Sequence, residues 1–285
     1  MGNSRNVPEN KIAMIQNNSS LSPWEIVKIS RHPSRPVFQD YLELLFEQFI
    51  ELHGDRYYGD DRALIGGFAQ LGGKKGMLIG QNKGKNTEDQ IIRNFAMAKP
   101  EGYRKALRLM KLAQRFQLPV VVFIDTPGAF PGLEAEERGQ AESIARNITE
   151  MAALQVPIVA VVIGEGGSGG ALGVGVGDRI LMLSRAIYSV ISPEGCASIL
   201  WRDAAFAPDA AQALNLTADA LKRLGVIDRI IQEPGEGAHT DYIAIAMAVK
   251  EAVLETIEEL EKITTEQLME QRFLKYAAMG KFGVE

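Results

Sequence analysis

The sequence predicts an α/β fold, a sheet layered with helices in one domain with helical extensions at both ends. Two uninterrupted apolar runs, 120–124 (VVVFI) and 156–163 (VPIVAVVI), have the composition of parallel strands buried on both faces. Each passes into a glycine-bearing loop and then into a segment with apolar residues at three- and four-residue steps, so a strand–loop–helix unit repeats. Upstream, two strand-like stretches flank Gly72-Gly73, the pattern of a hairpin.

Taken in order, Phe38, Tyr41, Leu42, Leu45, Phe49 and Leu52 recur at helical spacing, which predicts a helix over 37–53 closed by Gly54-Asp55. Strands follow at 63–71 and 76–81. A helix over 102–117 puts Tyr103, Ala106, Leu107, Met110 and Ala113 on one face, and Arg104, Arg108, Lys111 and Arg115 on another that reads as solvated. After the strand 120–124, a helix over 136–153 carries Ala141, Ile144, Ala145, Ile148, Met151 and Ala152 as its apolar stripe. The strand 156–163 and its glycine loop lead to strands at 179–183 and 188–191. Ser192-Pro193 then starts a helix with a cap residue and proline at the first helical position. Gly225 closes a short helix, 226–231 returns as a strand, and 241–262 is a long helix.

A chain of 285 residues with net charge −5 has a sizeable core and lacks the basic surface that nucleic acid or anionic membrane would demand. No apolar stretch reaches the roughly 20 residues of a membrane span. The segment 1–22 is Asn/Ser-rich with no apolar stretch, so it reads as a loose polar tail and not as a signal peptide; Asn6 stands where a myristoylation signal needs Ser or Thr. Cys196, the one cysteine, excludes internal disulfides, fits a reducing cytoplasm and reads as a buried core residue.

The chemistry concentrates at 164–173 (GEGGSGGALG), which opens a helix directly behind a buried strand. Backbone without Cβ atoms can approach a ligand closely and present N–H groups to an oxyanion. Three side-chain readings compete with that one. As a dinucleotide site, Gly164, Gly166 and Gly169 fit G-x-G-x-x-G, but the next strand ends at Leu183-Ser184-Arg185 without the required acid. As a hydrolase elbow, Ser168 would act with Asp228 and His239, which follow in the right chain order, yet His239 lies in a polar loop. As a GTPase, the run from Asp125 to Gly128 would hold magnesium, but the best phosphate loop, 80–87, has the wrong length and Asn86 at the metal-binding position. His32, His53 and His239 lack zinc-ligand spacing. What remains is a site built mostly of backbone, two glycine-bearing loops able to stabilise an enolate.

Four motifs in order, 100–110 (PEGYRKALRLM), 135–140 (AEERGQ), 164–172 (GEGGSGGAL) and 192–201 (SPEGCASILW), resemble the carboxyltransferase alpha subunits of bacterial-type acetyl-CoA carboxylase, with the likeness running from about Ser34 to beyond Asp228. The resemblance implies a crotonase-like (ClpP/crotonase) spiral of ββα units over 34–262, a polar extension over 1–33 and a helical tail over 263–285. It implies transfer of a carboxyl group from carboxybiotin, borne on a biotin carboxyl carrier protein, to acetyl-CoA, giving malonyl-CoA in the first committed step of fatty-acid synthesis. That chemistry passes through two enolate-like anions and needs two oxyanion holes, which suits a site rich in glycine.

Residue by residue, Gly166 and Gly167 match the family's oxyanion pair, and Gly128 and Ala129 are candidates for shaping the biotin side of the cleft. The resemblance also implies a zinc-bearing beta subunit as partner, with no metal in this chain, an alpha2beta2 assembly, biotin carboxylase in the wider complex, and a cytoplasmic or plastid-stromal location away from membranes. The alternative reading is a non-catalytic acyl-CoA-binding relative that keeps the fold. The family's N-terminal region is longer and helical, whereas 1–33 here is short and polar.

Overall fold

The structure, a computed structural model, describes residues 21–280. Strands β1 (Gln48–Glu51), β2 (Leu64–Leu71) and β3 (Lys74–Gln81) form an antiparallel meander. To it β4 (Val120–Thr126), β5 (Ile158–Gly167) and β6 (Arg179–Leu183) add in parallel, with β7 (Ile187–Ser189) pairing only the far end of β5 and β8 (Arg229–Ile231) closing the edge beside β6. Helices α1 (Pro23–Ser30) and α2 (Phe38–Leu45) precede the sheet. Between strands lie α3 (Thr87–Ile92), α4 (Pro100–Arg115), α5 (Leu133–Glu137), α6 (Gln140–Ala152), α7 (Ser168–Gly175), α8 (Pro193–Leu200), α9 (Ala207–Ala213) and α10 (Ala218–Arg223), and α11 (Tyr242–Leu260) and α12 (Thr265–Ala277) end the chain.

All of β4 and nearly all of β5 is buried, because helices cover both faces of the sheet. Adjacent residues of β4 show the two layers. Phe123 packs on Phe38 and Tyr41 of α2, with ring centroids 5.7 and 5.6 Å away, while Ile124 on the opposite face meets Gly175 of α7. Helices α4, α6 and α7 make up one layer; α11 packs on α2, β5 and β8 in the other. Arg272 of α12 is almost fully buried and ties that helix to Asp178 at the start of β6.

Several expected elements differ in extent. The helix expected over 37–53 stops at Leu45, where Phe46 turns extended and Gln48–Glu51 pairs with β2; pairing with the sheet overrides a periodicity that Phe49 and Leu52 had continued. The helix expected over 136–153 is broken by Gly139 at φ +82° into α5 and α6. The hairpin forms as expected, with Gly72 and Gly73 both at positive φ in its turn. On α4, the cation face is not simply solvated. Arg104 pairs with the buried Asp55 carboxylate at 2.8 Å and Arg108 donates to the Gly54 carbonyl at 2.9 Å, which fastens the loop after β1.

Of the polar extension 1–33, residues 1–20 lie outside the described residues. Ser22 closes a capping box with Glu25 at the start of α1, and Val27 is buried with Ile187, Ala211 and Leu216. Beyond α1, Arg35 donates to the Ile163 carbonyl at 2.8 Å and forks onto Glu233. The chain from α1 to α2 therefore leads directly to the end of β5.

Candidate active site

The site forms where β4 and β5 end. Between the pairs Ile124↔Val162 and Thr126↔Gly166 the register shifts, so residues 163–165 bulge opposite Asp125. Past the bulge β5 leaves β6 and pairs with β7, Gly166 opposite Tyr188 and Gly167 opposite Ser189. The chain then enters α7 with Gly167 as its extended N-cap and Ser168 at φ +52°.

Here the backbones meet so closely that side chains are excluded. A Cβ on Gly167 would overlap the Pro127 carbonyl, and one on Gly166 would stand 2.6 Å from Tyr188 Cδ2. Gly170, one turn into α7, lies against Gly128 and Ala129. Gly128, Ala129, Gly166 and Gly167, which lie about 40 residues apart in pairs, are thus brought to one place. The first loop is held by Thr126, whose hydroxyl donates to the Ala96 carbonyl at 2.7 Å and accepts from the Gly128 N–H at 3.2 Å.

Beside this junction opens a cleft of about 320 Å³ whose lining includes Ser168, Gly169, Leu172, Tyr188, Val190 and Leu221. It is mainly apolar. Burial pushes the Tyr188 phenol up to about 12, so its proton is retained at neutral pH. Val190 of this lining is largely exposed, as are Ile199 and Leu200 at the end of α8.

Behind the loop sits a group of buried and half-buried charges that sequence reasoning missed. Lys83, just after β3, lies 2.7 Å from Asp125 Oδ1 and 3.0 Å from Glu165 Oε1. Arg31 Nε reaches Glu165 Oε2 at 2.6 Å and its Nη1 reaches Glu194 Oε1 at 2.6 Å. Burial favours the neutral forms, but the opposite charges outweigh it, leaving the Glu165 carboxyl below its ordinary value and the Lys83 ammonium above its own. The signal was there to read: Asp125 and Glu165 each follow a run of buried-strand residues, and a carboxylate there requires a cation from elsewhere.

The side-chain alternatives are not assembled. Among the described residues no hydrogen bond joins any two of Ser168, Asp228 and His239. Asp228 instead accepts from the Ile180 N–H at 2.6 Å and from Lys275, and His239 stacks on His32 with centroids 3.9 Å apart. Asp125 is engaged by Lys83 and by the Glu165 N–H at 2.9 Å. No group of three His, Cys, Asp or Glu able to hold a metal occurs among the described residues, and no helix there is long and apolar enough to cross a membrane. Cys196 is buried, as expected.

Residues 7–280 match the model of a family described as acetyl co-enzyme A carboxylase carboxyltransferase-like. The acetyl-coenzyme A carboxylase carboxyl transferase subunit alpha of Geobacter sulfurreducens is 57% identical over 264 residues, covering 93% of this chain and 83% of that subunit. The subunit of the same name from Stenotrophomonas maltophilia is 55% identical over 263 residues, covering 92% and 82%. Among solved structures, transcarboxylase 12S with methylmalonyl-coenzyme A bound superposes with a TM-score of 0.65 at 16% identity, over 95% of this chain and 48% of that one. A Pseudomonas malonate decarboxylase hetero-tetramer in complex with coenzyme A gives 0.65 at 15% identity, over 84% and 94%.

Proposed function

The chain belongs to the acetyl co-enzyme A carboxylase carboxyltransferase-like family as a carboxyl transferase alpha subunit with a crotonase-like fold, and from that premise we propose that Gly166 and Gly167 hold an anion formed during carboxyl transfer. The reaction is biotin-dependent: a carboxyl group passes from carboxybiotin on the carrier protein to acetyl-CoA, and malonyl-CoA is formed.

The observation that carries the site assignment is the contact between the two loops. Gly167 abuts Pro127, and Gly170 abuts Gly128 and Ala129, beside a largely apolar cleft whose lining begins at Ser168. An uncharged bicyclic ring fits such a lining, where the polar groups are hydroxyls and backbone. Carboxybiotin, when bound, supplies the carboxyl group and, once it is released, a proton acceptor for the acetyl methyl. The chain's part is to orient and to stabilise. We assign to the Gly166 and Gly167 N–H groups, which the pairing of β5 with Thr126 and with β7 orients, a share in binding the oxygen on which negative charge develops, a contribution of up to several kcal/mol when donors are fixed in advance. Gly128 and Ala129 shape the wall on the biotin side. The Tyr188 ring packs against Gly166, and its phenol, protonated at neutral pH, does not serve as base.

One half of the reaction's anion stabilisation remains to be supplied. We assign it to a zinc-bearing beta subunit of related fold, seated over the exposed Val190 of the cleft, in an alpha2beta2 assembly that works with biotin carboxylase and the carrier protein in the cytoplasm or plastid stroma. The exposed apolar side chain of Val190 on the lining supports that placement.

The experiment is malonyl-CoA formation by the purified chain, by the beta subunit and by their mixture. The mixture alone is expected to turn over. Robust transfer by this chain without a partner would overturn the split site, and an assembled but inactive pair would overturn the transferase reading.

A further inference from the structure

We propose that Lys83 is a positioning residue of the glycine loop, which together with Arg31 clamps Glu165 and so fixes the direction of the Gly166 and Gly167 N–H groups. This rests on the assignment of those two N–H groups to the anion. Between Ile163 and Ser168 stand Gly164, Glu165, Gly166 and Gly167, so beyond the backbone pairing of 165–167 with β7 the Glu165 side chain is the one side-chain hold on this segment. The Gly166 N–H belongs to the peptide unit that joins residues 165 and 166. Turning that unit away requires Glu165 to move.

Glu165 is held at three points by three separate segments. Lys83, past β3, takes Oε1 at 3.0 Å; Arg31, past α1, takes Oε2 at 2.6 Å; Asp125, in β4, accepts the Glu165 N–H at 2.9 Å. Lys83 binds Asp125 as well, at 2.7 Å, so the same ammonium joins the ends of β4 and β5 behind the loop. Its charge matters as much as its bonds. Asp125 and Glu165 are two carboxylates directly behind a site meant for an anion, and without Lys83 their repulsion would act through a buried, weakly screening environment. Both carboxylates are largely buried, so an unpaired charge there is costly.

The test uses the complex with the beta subunit and the variants Lys83→Met, Lys83→Arg and Arg31→Met, with Gly167→Ala alongside. Lys83→Met is expected to lower kcat on the order of 10²-fold with the KM for acetyl-CoA little changed, as misplacement of a preorganised group does. Amide hydrogen exchange at residues 164–168 should accelerate in this variant while the core strands stay protected, and Lys83→Arg should restore most of kcat. Arg31 is more exposed than Lys83, so its loss strands less buried charge and Arg31→Met decides the matter if Lys83→Met does not fold; a fall in kcat with faster exchange confined to the loop supports the clamp. Wild-type kcat and exchange in either folded Met variant would overturn it. If Gly167→Ala is inactive while Lys83→Met is normal, the clamp fails and the anion assignment stands. If Gly167→Ala turns over normally, the anion assignment itself fails.

Discussion

Gly167 and Pro127 touch backbone to backbone: no space for a Cβ separates the Gly167 α-carbon from the Pro127 carbonyl. The contact joins two loops that β4 and β5 deliver side by side, and it means that neither loop can shift without the other. It also forbids the usual mild substitution, because alanine at 167 would have to displace backbone and not the flexible end of a side chain.

At the other end of the sheet, Arg272 uses all of its donors. Nε and Nη2 bind Asp178 at 2.8 Å each, Nη1 reaches the carbonyls of Met151 and Leu154 at 2.8 and 2.6 Å, and Nη2 also reaches that of Val156 at 3.0 Å. Arg272→Met leaves a buried carboxylate and three carbonyls without this partner. A loss of about 3–5 kcal/mol in urea unfolding is expected, since removing one member of a buried pair strands the other. Wild-type stability would show that α12 contributes little to the core.

Asp60 receives Lys105, the Gly54 N–H at 2.9 Å and His53. Burial raises its carboxyl, but these partners outweigh it and lower the value to about 2. A folded value below the unfolded one gives stability that is present above about 3.8 and lost as pH falls toward 2. Asp60→Asn should therefore unfold at lower urea than wild type at neutral pH, with the gap narrowing by about pH 3. A gap that holds constant with pH would mean that the carboxylate charge is not what stabilises.

A hydroxyl at the N-cap of α7 would accept a backbone N–H. The structure gives that position to Gly167 and leaves the Ser168 hydroxyl without a hydrogen bond among the described residues. Ser168→Ala should keep near-normal carboxyl transfer, and mass spectrometry of wild type quenched during turnover should find no acyl group on Ser168. Ser168→Gly should also be active, because glycine accepts φ +52° without strain. An inactive Ser168→Ala complex together with an acylated Ser168 would replace the backbone mechanism with a nucleophilic one.

The parts of this fold legible in the sequence are those fixed by local pattern. Val120 to Ile124 could be read as a buried parallel strand because no polar residue interrupts it, and Ser192 could be read as a cap because its hydroxyl accepts from the Gly195 N–H three residues on, at 3.1 Å. What escaped depends on distant partners. Phe49 and Leu52 fit a helix until β2 claims 48–51 as an edge strand. Glu165 was visible in the glycine run, but Lys83 and Arg31, the residues that hold it, come from segments 82 and 134 positions away, and no spacing rule connects them. The glycines of the site were legible because backbone chemistry leaves its mark in composition. Their contact with Pro127 was not, since it depends on how two strands end side by side.

The central claim is that backbone N–H groups at Gly166 and Gly167 stabilise the reacting anion. Steady-state malonyl-CoA formation by Gly167→Ala, in complex with the beta subunit and with assembly verified, tests it most directly. A loss of about 10²–10³ in kcat is expected, the scale of misplacing one oxyanion donor. An assembled Gly167→Ala complex that turns over within a few-fold of wild type would contradict it.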